Sequence, residues 1–285
     1  MRRTATWLAV LLCTACGSAE SSASPAPSSS LSSSTPAPVP AVPAVPGIEA
    51  EAVELRTDEA IGGQVQVRIT DTGTEAFTVT SVAIDSPGFA PLPDRAVTAA
   101  FAPGRTIDLP TPYGDALCDR AAEPAAARLT VVRPDGRTEA LRVPLAAEVL
   151  GRIHEERCAV RAVLAVADVT VDGLSPDGDA VTGTLTLARA GDDDRPVTVT
   201  RLEGNVIYDA TADLPRTLGA GESTLEVGLE FTMARCDAHA LAEVKQPHLF
   251  LLGLQVADDH EVAADLPLDE AQRDELAALI DRACR

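Results

Sequence analysis

The sequence predicts a mainly β protein: two tandem antiparallel β-sandwiches, each followed by a short helix. Short runs of alternating apolar and polar residues recur between clusters of Gly, Pro and Asp, the pattern of half-buried strands joined by turns. Four cysteines in the later part of the chain fall in two similar places. When Cys118 is laid on Cys236, the patterns around them come into register, so residues 48–285 read as an internal duplication. A stretch of that length suits two domains.

In the first copy Gln64 to Thr70 (QVQVRIT) alternates, Asp71-Thr72-Gly73-Thr74 turns, and Phe77 to Ile84 alternates again. FAPGRTIDLPTPYGDALCD (101 to 119) then supplies a glycine turn, a strand and a Cys-Asp pair, and RLTVVRPDGRTEALRVPL (128 to 145) reads as two strands. Pro134-Asp135-Gly136 is the tight turn between them. The second copy repeats the plan. Ala180 to Leu187 (AVTGTLTL) alternates, the acidic stretch from Gly191 to Arg195 turns, and Val197 to Leu202 alternates. LGAGESTLEVGLEFTMARCD (218 to 237) again gives a turn, a strand and a Cys-Asp pair, and HLFLLGLQVADDHEVAADLPL (248 to 268) two strands ending in Pro-Leu. Each copy then runs through a helical stretch to a final cysteine, Cys158 or Cys284. Leu145, Val149, Leu150 and Ile153 predict one helix face, weakened by Gly151, and Leu276, Leu279, Ile280 and Ala283 another, with Asp269 as N-cap.

ITDTGTEAFTVTSVAIDSPGF (69 to 89) followed by FAPGRTIDLP (101 to 110) resembles the Hydin-type immunoglobulin-like repeats of bacterial surface proteins. In those repeats a polar turn, an alternating strand, a Pro-Gly-Phe-like end and a Pro-Gly turn recur in that order. The likeness covers about 40 residues of the first copy and is fainter in the second, where Leu218-Gly219-Ala220-Gly221 stands for the Pro-Gly turn. It implies an immunoglobulin-like sandwich and no activity. No tryptophan stands between paired cysteines, so the antibody subfamily is not implied.

The first residues supply an address. MRRTATWLAVLLCTAC has two arginines, a short apolar stretch and small residues before Cys16, the pattern of a signal peptide over 1–15. Thr14-Ala15-Cys16 resembles the lipobox of bacterial lipoproteins, with Cys13 where an aliphatic residue is usual. That resemblance implies lipidation at Cys16 and a lipid anchor, such as palmitate, on the extracytoplasmic face of the cell membrane, with a share of the protein secreted. Residues 16–47 are expected to be a disordered tether. Serine and proline dominate them, and Pro36 to Pro46 (PAPVPAVPAVP) favours polyproline II. The expected modules are then 48–158 and 159–285.

Charge excludes other addresses. A net charge of -20 leaves no basic footprint for nucleic acid or for docking on anionic lipid headgroups. The partners implied are the membrane, through the anchor, and an envelope protein or the cell wall.

Past the membrane the compartment is oxidising, so the four cysteines read as two disulfides. The pairing that respects the duplication is Cys118 with Cys158 and Cys236 with Cys284, whereas the other two pairings would tie the copies together. A rival use is a metal site, since Cys236 and His239 have Cys-x-x-His spacing and His248, His260 and Cys284 are available. The first copy has Ala121 where the second has His239, which weighs against it. Asp172, Asp177, Asp179 and Asp192 to Asp194 offer oxygen ligands for calcium, but no EF-hand spacing holds, and solvated turns account for them. For catalysis, His154-Glu155-Glu156-Arg157-Cys158 begins like HExxH but ends in cysteine, and Gly173-Leu174-Ser175-Pro176-Asp177 lacks the second glycine of a nucleophile elbow. Tyr113, an aromatic in a Pro-Tyr-Gly loop, is the one residue singled out as a partner contact. The expected function is therefore non-enzymatic, without a cofactor: a lipid-anchored binding or spacing module. The alternative is a calcium- or metal-dependent extracytoplasmic binding protein or enzyme accessory domain.

Overall fold

The computed structural model describes residues 41–284. The expected signal peptide, Cys16 and the tether as far as residue 40 lie outside the described residues. The first module comprises β1 (Ile48–Val53), α1 (Arg56–Ile61), β2 (Gln64–Asp71), β3 (Phe77–Asp85), β4 (Arg95–Phe101), β5 (Thr106–Pro112), β6 (Ala126–Val132) and β7 (Thr138–Ala146), then α2 (Glu148–Leu164). Its strands form one rolled sheet in the order β4-β3-β6-β7-β1-β2-β5. All neighbours are antiparallel except β1 and β7, which run parallel with Ala50 against Leu145. The roll closes as an immunoglobulin-like sandwich, β1-β2-β5 in one layer and β4-β3-β6-β7 in the other. Alternation along the strands fills the space between, with Val65, Val67 and Ile69 of β2 sharing a core with Val79, Leu129, Val131 and Val143. Full burial of such side chains contributes about 1.5–3 kcal/mol each.

The second module comprises β8 (Ala167–Asp177), β9 (Ala180–Arg189), β10 (Val197–Glu203), β11 (Tyr208–Ala212), β12 (Arg216–Leu218), β13 (Thr224–Met233), α3 (Ala238–Glu243), β14 (Leu251–Val256), β15 (Val262–Asp265) and α4 (Glu270–Ala283). Two four-stranded antiparallel sheets, β11-β13-β9-β8 and β12-β10-β14-β15, enclose a core built on Tyr208, Phe231, Phe250 and Leu254. This is the sheet partition of an immunoglobulin-type sandwich. The duplication is plain in the topology. β5 and β13 each lead into the first cysteine of their copy, β6–β7 and β14–β15 are the matching hairpins, and α2 and α4 carry the second cysteine.

Several expectations are revised. Consecutive alternating runs β2 and β3 are not neighbours, and neither are β9 and β10, because each connection crosses from one layer to the other. At the first crossing the Asp71 carboxylate accepts the Gly73 N–H at 2.9 Å, and Gly73 lies so close to Gly47 that an added Cβ would stand 3.2 Å from its Cα. The fold also starts before residue 48: Val45 bridges Ile48, and the Gly47 carbonyl accepts the Thr72 N–H. Leu145, expected on the helix, lies in β7 instead. The largest revision concerns the division after Cys158, which falls inside α2. Ala159, Arg161, Ala162 and Leu164 are good helix formers and no Gly or Pro interrupts residues 159–164, so the helix continues to Leu164. Leu150 and Ile153 belong to the first core and Val163 to the second, so one helix serves both modules.

Candidate functional site

The disulfides place the sequence-predicted residues. Cys118, on the loop after β5, is bonded to Cys158 of α2, a sequence separation of 40. Cys236, on the loop after β13, is bonded to Cys284 at the end of α4, a separation of 48. Each bridge fastens a loop to the helix that follows the sandwich. Two disulfides suit an oxidising, extracytoplasmic setting. No helix among the described residues is long and apolar enough to cross a membrane.

Tyr113 lies beside the first staple. The strand β5 ends at Pro112, the Tyr113 N–H donates to the Gly63 carbonyl at 3.1 Å, and Gly114 follows where a Cβ would meet the Ala90 carbonyl oxygen at 2.2 Å. Only glycine fits there, and it fixes where the tyrosine points. The ring is half-buried, with Phe89 5.4 Å away on one side and the Arg157 guanidinium 5.0 Å from its centroid. Arg157 Nη2 also donates to the Tyr113 hydroxyl at 3.3 Å. Cation and aromatic face of this kind attract by about 0.5–1 kcal/mol at exposed sites. Phe89 in turn takes the His154 ring edge-on at 5.6 Å. The residue singled out as a partner contact is thus packed into a cluster of Phe89, Tyr113, His154, Arg157 and the Cys118–Cys158 bridge.

His154 closes this cluster. It is buried in α2, its Nε2 3.2 Å from the Leu117 carbonyl and 3.8 Å from Cys158 Sγ. Because a carbonyl only accepts, Nε2 carries the hydrogen. The sequence held a signal for this pairing in the four-residue spacing of His154 and Cys158, which puts both on one helix face. Beyond the cluster, an open groove of about 580 Å³ runs between α2 and the β14–β15 hairpin. Val160, Leu164, Val169 and Leu254 line its apolar part, and Arg161, whose guanidinium donates to the Ala116 carbonyl at 2.9 Å, stands at its side.

The residues weighed for metal binding are dispersed. Cys236 and Cys284 are bonded to each other, exposed His239 pairs with Glu243 at 3.3 Å, and His260 lies on the β14–β15 turn. His248 is half-buried, and burial, reinforced by the Arg273 charge, holds its pKa below the ordinary histidine value. Among the described residues no three His, Cys, Asp or Glu side chains converge as a metal would require. Asp177 and Asp179 flank the β8–β9 turn. In the stretch from Asp192 to Asp194, the Asp193 carboxylate binds Arg195, whose side chain holds the Asp193 pKa below the usual carboxylate range. The carbonyls of Asp193, Asp194 and Arg195 instead converge on the Arg189 guanidinium, which also reaches those of Leu218, Gly219 and Glu222. An arginine side chain therefore occupies this carbonyl cage and ties the β9–β10 crossing to the turn before β13.

Compared with known proteins, the chain matches no protein-family model and no curated protein. Among solved structures it is similar to red sea bream transglutaminase, at 9% identity and a TM-score of 0.23 over 79% of this chain and 32% of that one. The YadV chaperone is similar at 11% identity and a TM-score of 0.21, over 78% of this chain and 98% of that one. The BSP domain of a biofilm-associated protein follows at 8% and 0.19, over 84% and 62%. The chain spans about a third of the transglutaminase's length.

Proposed function

We propose that the protein is a lipid-anchored, non-enzymatic component of a bacterial cell envelope, whose two sandwiches form one body that binds or spaces at a distance from the membrane. The observation that carries this reading is the pair of disulfides at duplicated positions, one of them on the helix both modules share. Such stapling suits an extracytoplasmic location. The lipobox-like Cys16 would supply the anchor and the Ser/Pro-rich segment after it the stand-off. Extended polyproline rises about 3.1 Å per residue, which would set the reach of such a segment.

Membrane fractionation of a Cys16→Ala variant tests the anchor. The variant is expected in the soluble extracytoplasmic fraction, and continued retention in the membrane would overturn the reading. Cross-linking on intact cells then separates the two roles: a binding module returns the same envelope partner each time, and a spacer returns none.

A further inference from the structure

The two disulfides are equivalent in topology but not in chemistry. Cys158 sits on α2 with His154 one turn before it, Nε2 at 3.8 Å from the sulfur, Arg157 immediately before it and Arg161 one turn after. Arg157 is occupied by the Tyr113 ring and hydroxyl and Arg161 by the Ala116 carbonyl, so neither spends its charge on a carboxylate. Of the carboxylates nearby, Asp119 turns to Arg120 at 3.7 Å and Glu156 to Arg152 at 3.1 Å, while Asp115 lines the same groove as both arginines. Two guanidiniums free of ion pairs among the described residues, and a histidine, thus stand around this bridge. Among the described residues no histidine stands against the sulfurs of the second bridge. Arg235 pairs with Asp237 and Arg282 with Glu275, both at 3.0 Å, and Cys236 Sγ approaches the Ala283 carbonyl at 3.9 Å.

We propose that the Cys118–Cys158 bridge is a thiol-exchange site, with Cys118 the sulfur attacked and Cys158 the sulfur released. Cys118 lies on an exposed loop, whereas Cys158 is half-buried against the first core. An external thiolate reaches Cys118 Sγ, a new S–S bond forms there, and the Cys118–Cys158 bond breaks with its electron pair on Cys158 Sγ. The external sulfur is oxidised and Cys158 reduced, so the step needs no other oxidant. The Cys158 thiolate is received by the His154 Nε2–H, which turns to it from the Leu117 carbonyl, and by the field of Arg157 and Arg161. Positive neighbours lower a thiol's pKa, and a leaving thiol of lower pKa departs faster. The opposite direction of attack would expel Cys118 as a thiolate facing the Ala116 carbonyl oxygen at 4.0 Å, which repels it. The exposure of Cys118 and the contact of Cys158 with His154 therefore agree on one regiochemistry.

The test uses the purified, fully oxidised chain, reduced glutathione as the probe thiol, alkylation at timed intervals and peptide mass spectrometry. The glutathione adduct is expected on Cys118 and the alkyl group on Cys158, at a rate on the order of tenfold above that at Cys236 and Cys284. A His154→Gln variant is expected to slow the first bridge severalfold and leave the second unchanged. Because His154 is buried and its replacement can loosen the fold, an Arg157→Gln/Arg161→Gln double variant repeats the measurement with the ring in place, and should slow the first bridge likewise. Equal rates at the two bridges, an adduct on Cys158 in place of Cys118, or a first-bridge rate that the double variant leaves unchanged would overturn the proposal.

Discussion

The helices α2 and α4 are copies of one element, yet they are held in different ways. α4 begins with its own capping box, packs on β8, β9 and β13 of the second module, and buries Leu276 and Leu279 there. The Tyr208 hydroxyl, whose pKa burial pushes up to about 12, donates to the Leu276 carbonyl at 2.7 Å and pins the helix to its own core. α2 starts from Ala147 with no side-chain cap and divides its apolar residues, Leu150 and Ile153 to the first core and Val163 to the second. One copy closes its own sandwich. The other joins two, and in doing so it covers the β15 side of the neighbouring module. The duplicated staple keeps the covalent pattern constant while tertiary packing decides what the helix does.

That contrast is most strongly tested by removing each staple in turn. Loop-closure entropy over separations of 40 and 48 residues assigns both bridges about 4 kcal/mol, and the lengths differ too little to separate them. Urea unfolding of Cys118→Ser/Cys158→Ser and of Cys236→Ser/Cys284→Ser should therefore show similar losses. Their distribution should differ: amide exchange is expected to rise in both modules, β15 included, when the first bridge is removed, and only around α4 and its sheet when the second is. Unchanged protection of β15 in the first variant would break the picture of a shared helix. The next effect is smaller. Leu276→Ala should cost about 3 kcal/mol, and Val163→Ala about 2 kcal/mol, each by loss of buried methyl groups plus a cavity. Val163→Ala also sharpens the comparison, because it should lower the stability of the second module although the residue lies on the first module's helix.

Much of this was legible in the sequence, and the limits have physical causes. Alternation found β2, β3, β9 and β10 because each buries one face, and the Pro134-Asp135-Gly136 turn found the β6–β7 hairpin because its ends pair, Val132 with Thr138. Alternation carries no information on which strand is a neighbour, so the layer crossings after β2 and β9 had to come from the structure. The extent of α2 was missed for a related reason. A cysteine was taken as the end of a copy, while the residues after it, Ala159 to Leu164, continue a helix whose second partner lies in the other module. α1 also left no signal: its buried Asp58 accepts from Gln64, Gln66 and the Leu55 N–H, a polar network that a hydrophobic pattern cannot show. At the site, Tyr113 and the cysteines were found by type and spacing. His154 does not stand out by motif, because HExxC fails as a zinc-protease pattern, although its four-residue spacing from Cys158 puts both on one helix face.

The smallest expected effect concerns how each helix starts. The Asp269 carboxylate accepts the Gln272 N–H at 2.8 Å, Gln272 Oε1 accepts the Asp269 N–H at 2.8 Å, and Gln272 Nε2 donates to the Val171 carbonyl of β8. The box thus satisfies two free N–H groups and also ties the helix start to its sheet. Replacing an N-cap Asp by Ala costs about 1 kcal/mol, and Asn retains most of the cap. Asp269→Ala should therefore lower stability by about 1 kcal/mol in urea unfolding, and Asp269→Asn by only a few tenths. If Asp269→Ala costs nothing, then the start of α4 needs no side-chain cap, as the start of α2 needs none, and the two helices differ mainly in where they dock. If Asn costs as much as Ala, the carboxylate charge at the helix N-terminus, rather than the hydrogen bond, is what the second module adds to its copy.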